Sequence, residues 1–356
     1  MIRFLPDPDP IPLPAPAALF KFLLGLTFTI HILLVSLVIG GGLIAYLAVS
    51  RRRAANLHAR AFARAFLGAV PVLLAFAITF GVAPLLFVQV LYGQFFYSAT
   101  VLMAWPWLSV FAVIIAAYYL FYARALGKTG AAAGLLAVVL LLWVAFMYVN
   151  MSTLSLTPRR WWPMWQASQA GMALNLAEPT LLPRLLHVLI AAVAVAGIAI
   201  AAYGALAQKA TPEYGQWVKA RGASWFIAAT LVQIPVGLWL LLSLPQHVSG
   251  QFLGGSVVRT VHLFAAAAAA ILVLPVVTAA SRRPARGIIL LCSAVMALVV
   301  AIMVVVRQWV RDAYLGEFLQ PARVQPQTAA VLLFFALFAL GLAVIAWMLL
   351  KAARRR

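Results

Sequence analysis

Long apolar stretches alternate with short segments of charged or turn-forming residues along the whole chain. A helix needs roughly 20 apolar residues to cross the hydrocarbon core of a bilayer, and nine stretches reach that length. The predicted spans are 18–49, 66–93, 98–123, 130–153, 182–207, 222–244, 258–280, 287–310 and 328–350. The pattern predicts an all-α protein, a polytopic transmembrane helix bundle of about nine spans.

Few polar segments lie between the spans. Residues 1–17 are rich in proline and acidic, unlike the basic start of a signal peptide, and are predicted to lie extended on the outer surface. Residues 18–356 are predicted to form a single transmembrane helical domain. Its longest outer loop, 154–181, carries Trp161, Trp162 and Trp165, which suit a helix lying in the membrane interface.

The composition excludes a soluble protein. Hydrophobic residues make up 66% of the 356 and charged residues only 9%, with a mean hydropathy of +1.06, whereas a soluble domain carries about 25% charged residues. The net charge of +20 is explained by membrane charge bias and contact with anionic lipid. No polar, basic face indicates a nucleic-acid partner.

Lysine and arginine predict the orientation. In a nine-span chain, 17 of the 26 basic residues fall on one side, and the richer side is the cytoplasm. The N-terminus is therefore predicted to be periplasmic and the C-terminus cytoplasmic, in a bacterial inner membrane.

Carboxylates and cysteine narrow the chemistry. The six carboxylates all lie outside the middle of the predicted spans, which argues against proton pumping, because buried carboxylates are the usual proton carriers. Cys292 is the one cysteine. The chain therefore has no intramolecular disulfide, no thiolate metal cluster and no Cys-x-x-Cys-His attachment site for a c-type haem.

Two predicted helices share an Arg-x-x-His pattern near their outer ends, Arg184 with His187 and Arg259 with His262. Residues three apart lie on one helix face. An imidazole can ligate haem iron, and a guanidinium can bind the haem propionates. The alternative is that both histidines are structural and both arginines extend to the interface.

Other polar residues are weaker candidates. His31 lies inside the first predicted helix, and His247 lies in an outer loop with Gln246 and Gln251, where it is either a proton acceptor for quinol or a solvated loop residue. His58 is expected in a solvated inner segment. Four outer arginines are candidates for propionates, an acidic partner or the interface: Arg159, Arg160, Arg307 and Arg311.

Three segments carry a family resemblance. They are FKFLLGLTFTIHILLVSLVIGGGLIAYL around His31, FMYVNMSTLSLTP with Asn150 and Met151, and LPRLLHVLIAAVAVAGIAIAAYGAL around His187. Over roughly its first 250 residues the chain resembles subunit I of cytochrome bd quinol oxidases. The resemblance implies that His31 ligates a high-spin b haem and that His187 ligates a low-spin b haem.

The chain also departs from that family. The family's methionine ligand is replaced by a helix with Arg259 and His262, so the resemblance implies bis-histidine ligation by His187 and His262. The long quinol-binding loop is reduced to LPQHVSGQFLGGS, and the intramembrane glutamates have no counterpart. The Gly-Arg-Gln-Pro-Trp segment of that family also has no counterpart. The most similar segment here is VVVRQWVRDAYL, which ends at Leu315.

These observations favour a b-type cytochrome subunit with one or two haems b. It would move electrons between membrane quinone and a periplasmic redox partner such as a c-type cytochrome, as a quinol-linked oxidoreductase within a complex. We expect no oxygen reduction by this chain. Two alternatives stay open: a terminal quinol oxidase subunit of the bd type, and a permease or scaffold subunit without a cofactor.

Overall fold

Nine long helices dominate the chain, as the hydropathy pattern predicts. The computed structural model describes residues 5–7, 11–48, 56–319 and 323–353, excluding the side chains of residues 131, 345, 349, 352 and 353. Within these ranges nine helices are long and apolar enough to cross a membrane, and no β-strand longer than one bridge is present. The prediction of an all-α polytopic bundle is therefore confirmed.

The long helices are numbered here in chain order. They are α1 (Ala17–Ala48), α2 (Leu57–Leu102), α3 (Ala104–Ala125), α4 (Ala131–Ser155), α5 (Leu181–Ala207), α6 (Pro212–Ser243), α7 (Val257–Ser281), α8 (Arg286–Leu315) and α9 (Thr328–Ala353). Between α4 and α5, Trp161–Ala167 forms a short helix, called the tryptophan helix below.

Several helices extend beyond the predicted spans. Helix α2 has 46 residues, bends at Tyr92, where φ is −139° and ψ is 31°, and is separated from α3 by Met103. Helix α6 begins at Pro212, ten residues before the predicted start at residue 222. Helix α8 continues to Leu315 and takes in Asp312, which the predicted span 287–310 leaves outside. Hydropathy marks the apolar part of a helix, whereas the hydrogen-bonded helix continues into polar segments.

Glycine allows α5 and α6 to pack closely. A Cβ atom on Gly197 would lie 2.5 Å from the backbone nitrogen of Phe226, and one on Gly204 would meet the backbone of Lys219. Gly222 faces the backbone of α5 in the same way, and Gly215 faces Gln208, the residue that follows α5. Small residues let membrane helices approach backbone to backbone, which increases van der Waals contact where lipid gives little hydrophobic drive.

Helix α1 also makes a close backbone contact. Helix α1 contains a π-helical turn at Leu37–Gly41. A Cβ atom on Gly40 would meet the Ala192 carbonyl of α5. Helix α1 packs beside α2, α5 and α8. The N-terminal ends of α1 and α5 and the C-terminal end of α8 also come together, through the Lys21–Asp312 ion pair and the adjacent Arg184, and this junction carries the polar residues described next.

The segment before α1 is joined to the segment before α9. Leu13 and Val324 form an isolated parallel β-bridge, in which Leu13 N donates to Arg323 O (2.8 Å) and Gln325 N donates to Leu13 O (2.9 Å). Gln327 N adds a hydrogen bond to Pro14 O (2.9 Å). The two segments therefore lie on the same face of the bundle, as the predicted nine-span topology requires.

Candidate functional site

Three arginines meet where α5 and α8 adjoin α1. Arg184 lies in the first turn of α5, and Arg307 and Arg311 lie one turn apart on α8. The Arg307 guanidinium lies 4.6 Å from the ring centroid of Phe28, and that of Arg311 lies 4.7 Å from the ring centroid of Tyr92. These three residues are called the arginine cluster. Their charges are close enough to repel one another.

The arginine cluster contains buried N–H groups without partners. Arg311 is 8% exposed, and its Nη1 has no hydrogen-bond partner among the described residues. The same holds for Nε and Nη2 of Arg184. An unpaired buried donor is costly, and an unpaired buried charge more so. The cluster therefore suits an anionic group with several acceptor oxygens.

Nearby carboxylates are already engaged with other cations. Asp312 accepts hydrogen bonds from Lys21 Nζ and Tyr92 Oη, both at 2.8 Å. Glu178 pairs with Arg160 at 3.2 Å and accepts from the Thr180 hydroxyl at 3.0 Å. Neither carboxylate makes a salt bridge with the arginine cluster, so the positive charge of the cluster is only partly balanced.

His187 lies one turn below Arg184 and faces α6. Gln233 Nε2 lies 2.9 Å from His187 Nδ1 and donates to the His187 carbonyl at 3.0 Å. In this arrangement Nδ1 accepts and the ring proton is on Nε2. Ligation of a metal through Nε2 requires the proton on Nδ1, and rotation of the Gln233 amide would bring Oε1, which is buried without a partner, to that proton.

His31 already has the tautomer of a metal ligand. Its Nδ1 lies 2.8 Å from the Ala77 carbonyl, and because a carbonyl only accepts, the proton is on Nδ1. A hydrogen bond of this kind, from Nδ1 to a carbonyl oxygen, orients metal-bound histidines and leaves Nε2 as the atom that binds the metal. A Cβ on Gly81 would lie 2.8 Å from the ring, so glycine leaves room for the imidazole.

His262 has an equivalent hydrogen bond but a different position. Its Nδ1 donates to the Val258 carbonyl at 2.7 Å, and its exposed ring meets Trp309 edge-on at 5.2 Å between centroids. Trp309 lies on the face of α8 opposite Arg307 and Arg311, by the helical period. Arg259 lies half-buried one turn above His262. The structure therefore gives His187 and His262 different neighbours, and their sharing of one iron stays a prediction.

The remaining histidines lie in different settings. His247 is exposed, and its ring lies 6.3 Å from that of Tyr314. His58 is half-buried at the start of α2, against Tyr214 and Trp217, rather than in a solvated loop. Among the described residues no group of three metal-ligating side chains occurs. A haem site needs only one or two axial ligands, so the site remains compatible with haem.

A polar network lies beside the cluster. Asn150, fully buried on α4, accepts from the backbone of Asn175, whose own side chain accepts from Arg160 at 3.0 Å. Arg160 in turn holds Glu178. The network fixes the segment between α4 and α5 and ends just before the first turn of α5, which carries Arg184 of the arginine cluster.

An open apolar cavity lies away from the arginine cluster. A cavity of about 400 Å³ is lined by aromatic residues of α2 and the tryptophan helix, including Tyr97, Trp161 and Trp165. Trp161 is buried and Trp162 exposed, as expected for a helix with one side against the protein. No candidate histidine lines this cavity.

Comparison with known proteins gives a fold but no family. No family model and no curated protein matches the chain. A solved structure, the bd oxidase from Geobacillus thermodenitrificans, is similar with a TM-score of 0.71 and 12% sequence identity. The match covers 97% of this chain and 100% of that chain. The chain therefore has a bd-oxidase-like fold, in agreement with the resemblance seen in the sequence.

Several residues of the site were not predicted. Lys21, Tyr92, Asp312, Gln233 and Phe28 contact the candidate ligands or the arginine cluster. A usable signal was present for Asp312, because it directly follows Arg307 and Arg311, two charges on one helix face near the end of a span. Tyr92 and Gln233 gave no local signal, since their partners lie on other helices.

Proposed function

We propose that this chain is a b-type cytochrome subunit of a bacterial inner membrane. It binds one or two haems b and carries electrons between membrane quinone and a redox partner on the periplasmic side, such as a c-type cytochrome. A bound haem b supplies a one-electron couple at its iron. The chain works as part of a larger respiratory complex and is embedded in lipid.

The unpaired buried N–H groups of the arginine cluster carry this proposal. A haem has two anionic propionates and an iron that takes imidazole, and Arg184 of the cluster lies one turn from His187. A cofactor-free permease would leave these guanidinium groups buried without partners, which is costly. We therefore favour the haem protein over that alternative.

Each residue has a defined task in the proposal. His187 ligates the iron, Gln233 orients its ring after the amide rotation, and the arginine cluster holds the propionates. His262 is proposed as the second axial ligand, with Arg259 one turn above it as a further propionate partner. His247, exposed beside Tyr314, is proposed to accept the proton of a bound quinol, since a neutral imidazole is a proton acceptor.

A second candidate function is that of a terminal quinol oxidase subunit of the bd type. The fold is bd-oxidase-like, and His31 presents an unpartnered Nε2 that would suit a five-coordinate haem. A six-coordinate haem that two other histidines ligate would not need the Nε2 of His31. A far-red absorption band of a d-type haem in the purified complex would favour the oxidase.

The proposal is tested by optical spectroscopy of the purified chain. We expect a dithionite-reduced minus oxidised spectrum with the α band of haem b, quantified as pyridine haemochrome. His187→Ala should lose at least nine tenths of the low-spin signal while the protein stays inserted, because an axial ligand is removed.

The matched control is His58→Ala, which removes a half-buried imidazole near the opposite end of the bundle. It should keep the full haem content. Wild-type chain without any haem band, after expression with sufficient haem supply, would contradict the proposed function.

A further inference from the structure

Asp312 is a half-buried carboxylate that connects three helices. Its Oδ2 accepts from Lys21 of α1, and its Oδ1 accepts from Tyr92 of α2, both at 2.8 Å. The side chains of Lys21 and Asp312 are 39% and 21% exposed, so water screens the pair only in part. Gln308, one turn before Asp312, donates to the Lys21 carbonyl at 3.2 Å and ties the same two helices.

Tyr92 links Asp312 to the arginine cluster. Its hydroxyl donates to Asp312, and its ring lies under the Arg311 guanidinium at 4.7 Å. Tyr92 is 4% exposed and lies where α2 bends. The carboxylate therefore fixes the ring on which Arg311 rests, and Arg311 is the cluster residue with a buried unpaired Nη1.

The charges on this junction have opposite signs and adjacent positions. Lys21 and Asp312 form a pair of net charge zero, next to the positive arginine cluster. Removing either partner therefore changes the local charge by one unit in opposite directions. A charge in a partly buried setting acts on a nearby redox group through a medium of low effective dielectric constant.

We propose that Asp312 is a positioning residue that, with Lys21, sets the reduction potential of the haem held by the arginine cluster. It acts through Tyr92 on Arg311 and through its own charge. The inference rests on the proposed function. A negative charge favours the oxidised, more positive state of the iron, and a positive charge favours the reduced state.

The test is redox titration of the haem in single variants. Asp312→Asn keeps an oxygen that accepts from Tyr92 but removes the charge, and we expect a higher midpoint potential. Lys21→Met leaves the carboxylate unpaired, and we expect a lower one. Each shift should change the reduction equilibrium by about tenfold, which is about 59 mV for a one-electron couple.

Three further variants separate charge from structure. Glu317→Gln removes a carboxylate of the adjacent turn that pairs with Arg159 and is 53% exposed, and it should leave the potential unchanged. Asp312→Glu keeps the charge and should restore a potential near that of wild type. The double variant Lys21→Met with Asp312→Asn removes both charges and should return toward the wild-type value.

The outcomes distinguish the inference from the proposed function. Opposite shifts for Asp312→Asn and Lys21→Met, with haem content retained, support the inference. Unchanged potentials in both variants overturn it and leave the proposed function intact. If Asp312→Asn fails to insert, the sign of the Lys21→Met shift decides. A wild-type chain without haem overturns the proposed function instead.

Discussion

At the scale of single residues, the tautomer of each histidine limits what it can bind. His31 and His262 donate from Nδ1 to carbonyl oxygens and present an Nε2 lone pair. His187 has Gln233 at its Nδ1 and presents a proton until that amide turns. The structure therefore gives His31 the more direct arrangement for metal ligation, although the repeated Arg-x-x-His pattern drew attention to His187.

We predict that His31 ligates a second haem. His31→Ala should lower the haem content by one per chain, because no other described imidazole lies beside Ala77. Pyridine haemochrome quantification against protein concentration measures this stoichiometry. An unchanged value of one haem per chain in wild type and variant would rule out the second site.

Part of the site could be predicted from the sequence and part could not. Arg184 and His187 are three residues apart on one helix, so a local pattern reveals them. Lys21 and Asp312 are separated by 291 positions, and only the packing of α1 on α8 brings them together. A single amino-acid sequence carries no signal for such a distant contact.

At the scale of helices, the hydropathy pattern predicts how many spans exist but not how they pack. Each span needs a length of apolar residues fixed by the bilayer, and each of the nine predicted stretches overlaps one observed long helix, although residues 98–102 of the third stretch belong to the end of α2. The bend at Tyr92 and the early start at Pro212 have no apolar signal. They depend on neighbouring helices and on residues outside the hydrocarbon region.

The close approach of α5 and α6 yields a stability prediction. Gly197→Val should destabilise the protein by about 3 kcal/mol or more, because its Cβ would lie 2.5 Å from backbone rather than from a movable side chain. Denaturant unfolding in detergent micelles measures the free energy of unfolding.

The control for that substitution is Gly341→Val in α9. No atom lies within 4 Å of the Cβ position of Gly341, so the added side chain meets open space. Equal losses of stability in the two variants would show that backbone contact at Gly197 is not the cause.

At the scale of the whole molecule, the orientation predicted from charge can be tested directly. Cys292 is buried, 4% exposed, and a Cys292→Ser background removes the natural thiol. In that background Gln169→Cys should react with a membrane-impermeant maleimide in cells whose outer membrane is permeabilised, because residue 169 is predicted to be periplasmic. Lys209→Cys should react only after the inner membrane is opened.

Both test positions are exposed in the structure, so access to the thiol differs only by the side of the membrane. Labelling of Lys209→Cys in cells with an intact inner membrane would reverse the predicted orientation. The fold itself would stay the same, since the bundle is defined by helix packing and not by its direction in the bilayer.

The β-bridge between Leu13 and Val324 has a consequence for biosynthesis. A ribosome makes Leu13 early, while its hydrogen-bond partners Arg323 and Gln325 emerge only after eight of the nine helices have been synthesised. The bridge therefore cannot form until the segment before α9 has been made and lies on the same side of the membrane as the segment before α1. Formation of this bridge is therefore a late step in the assembly of the bundle, and it joins the segment before α1 to the segment before α9.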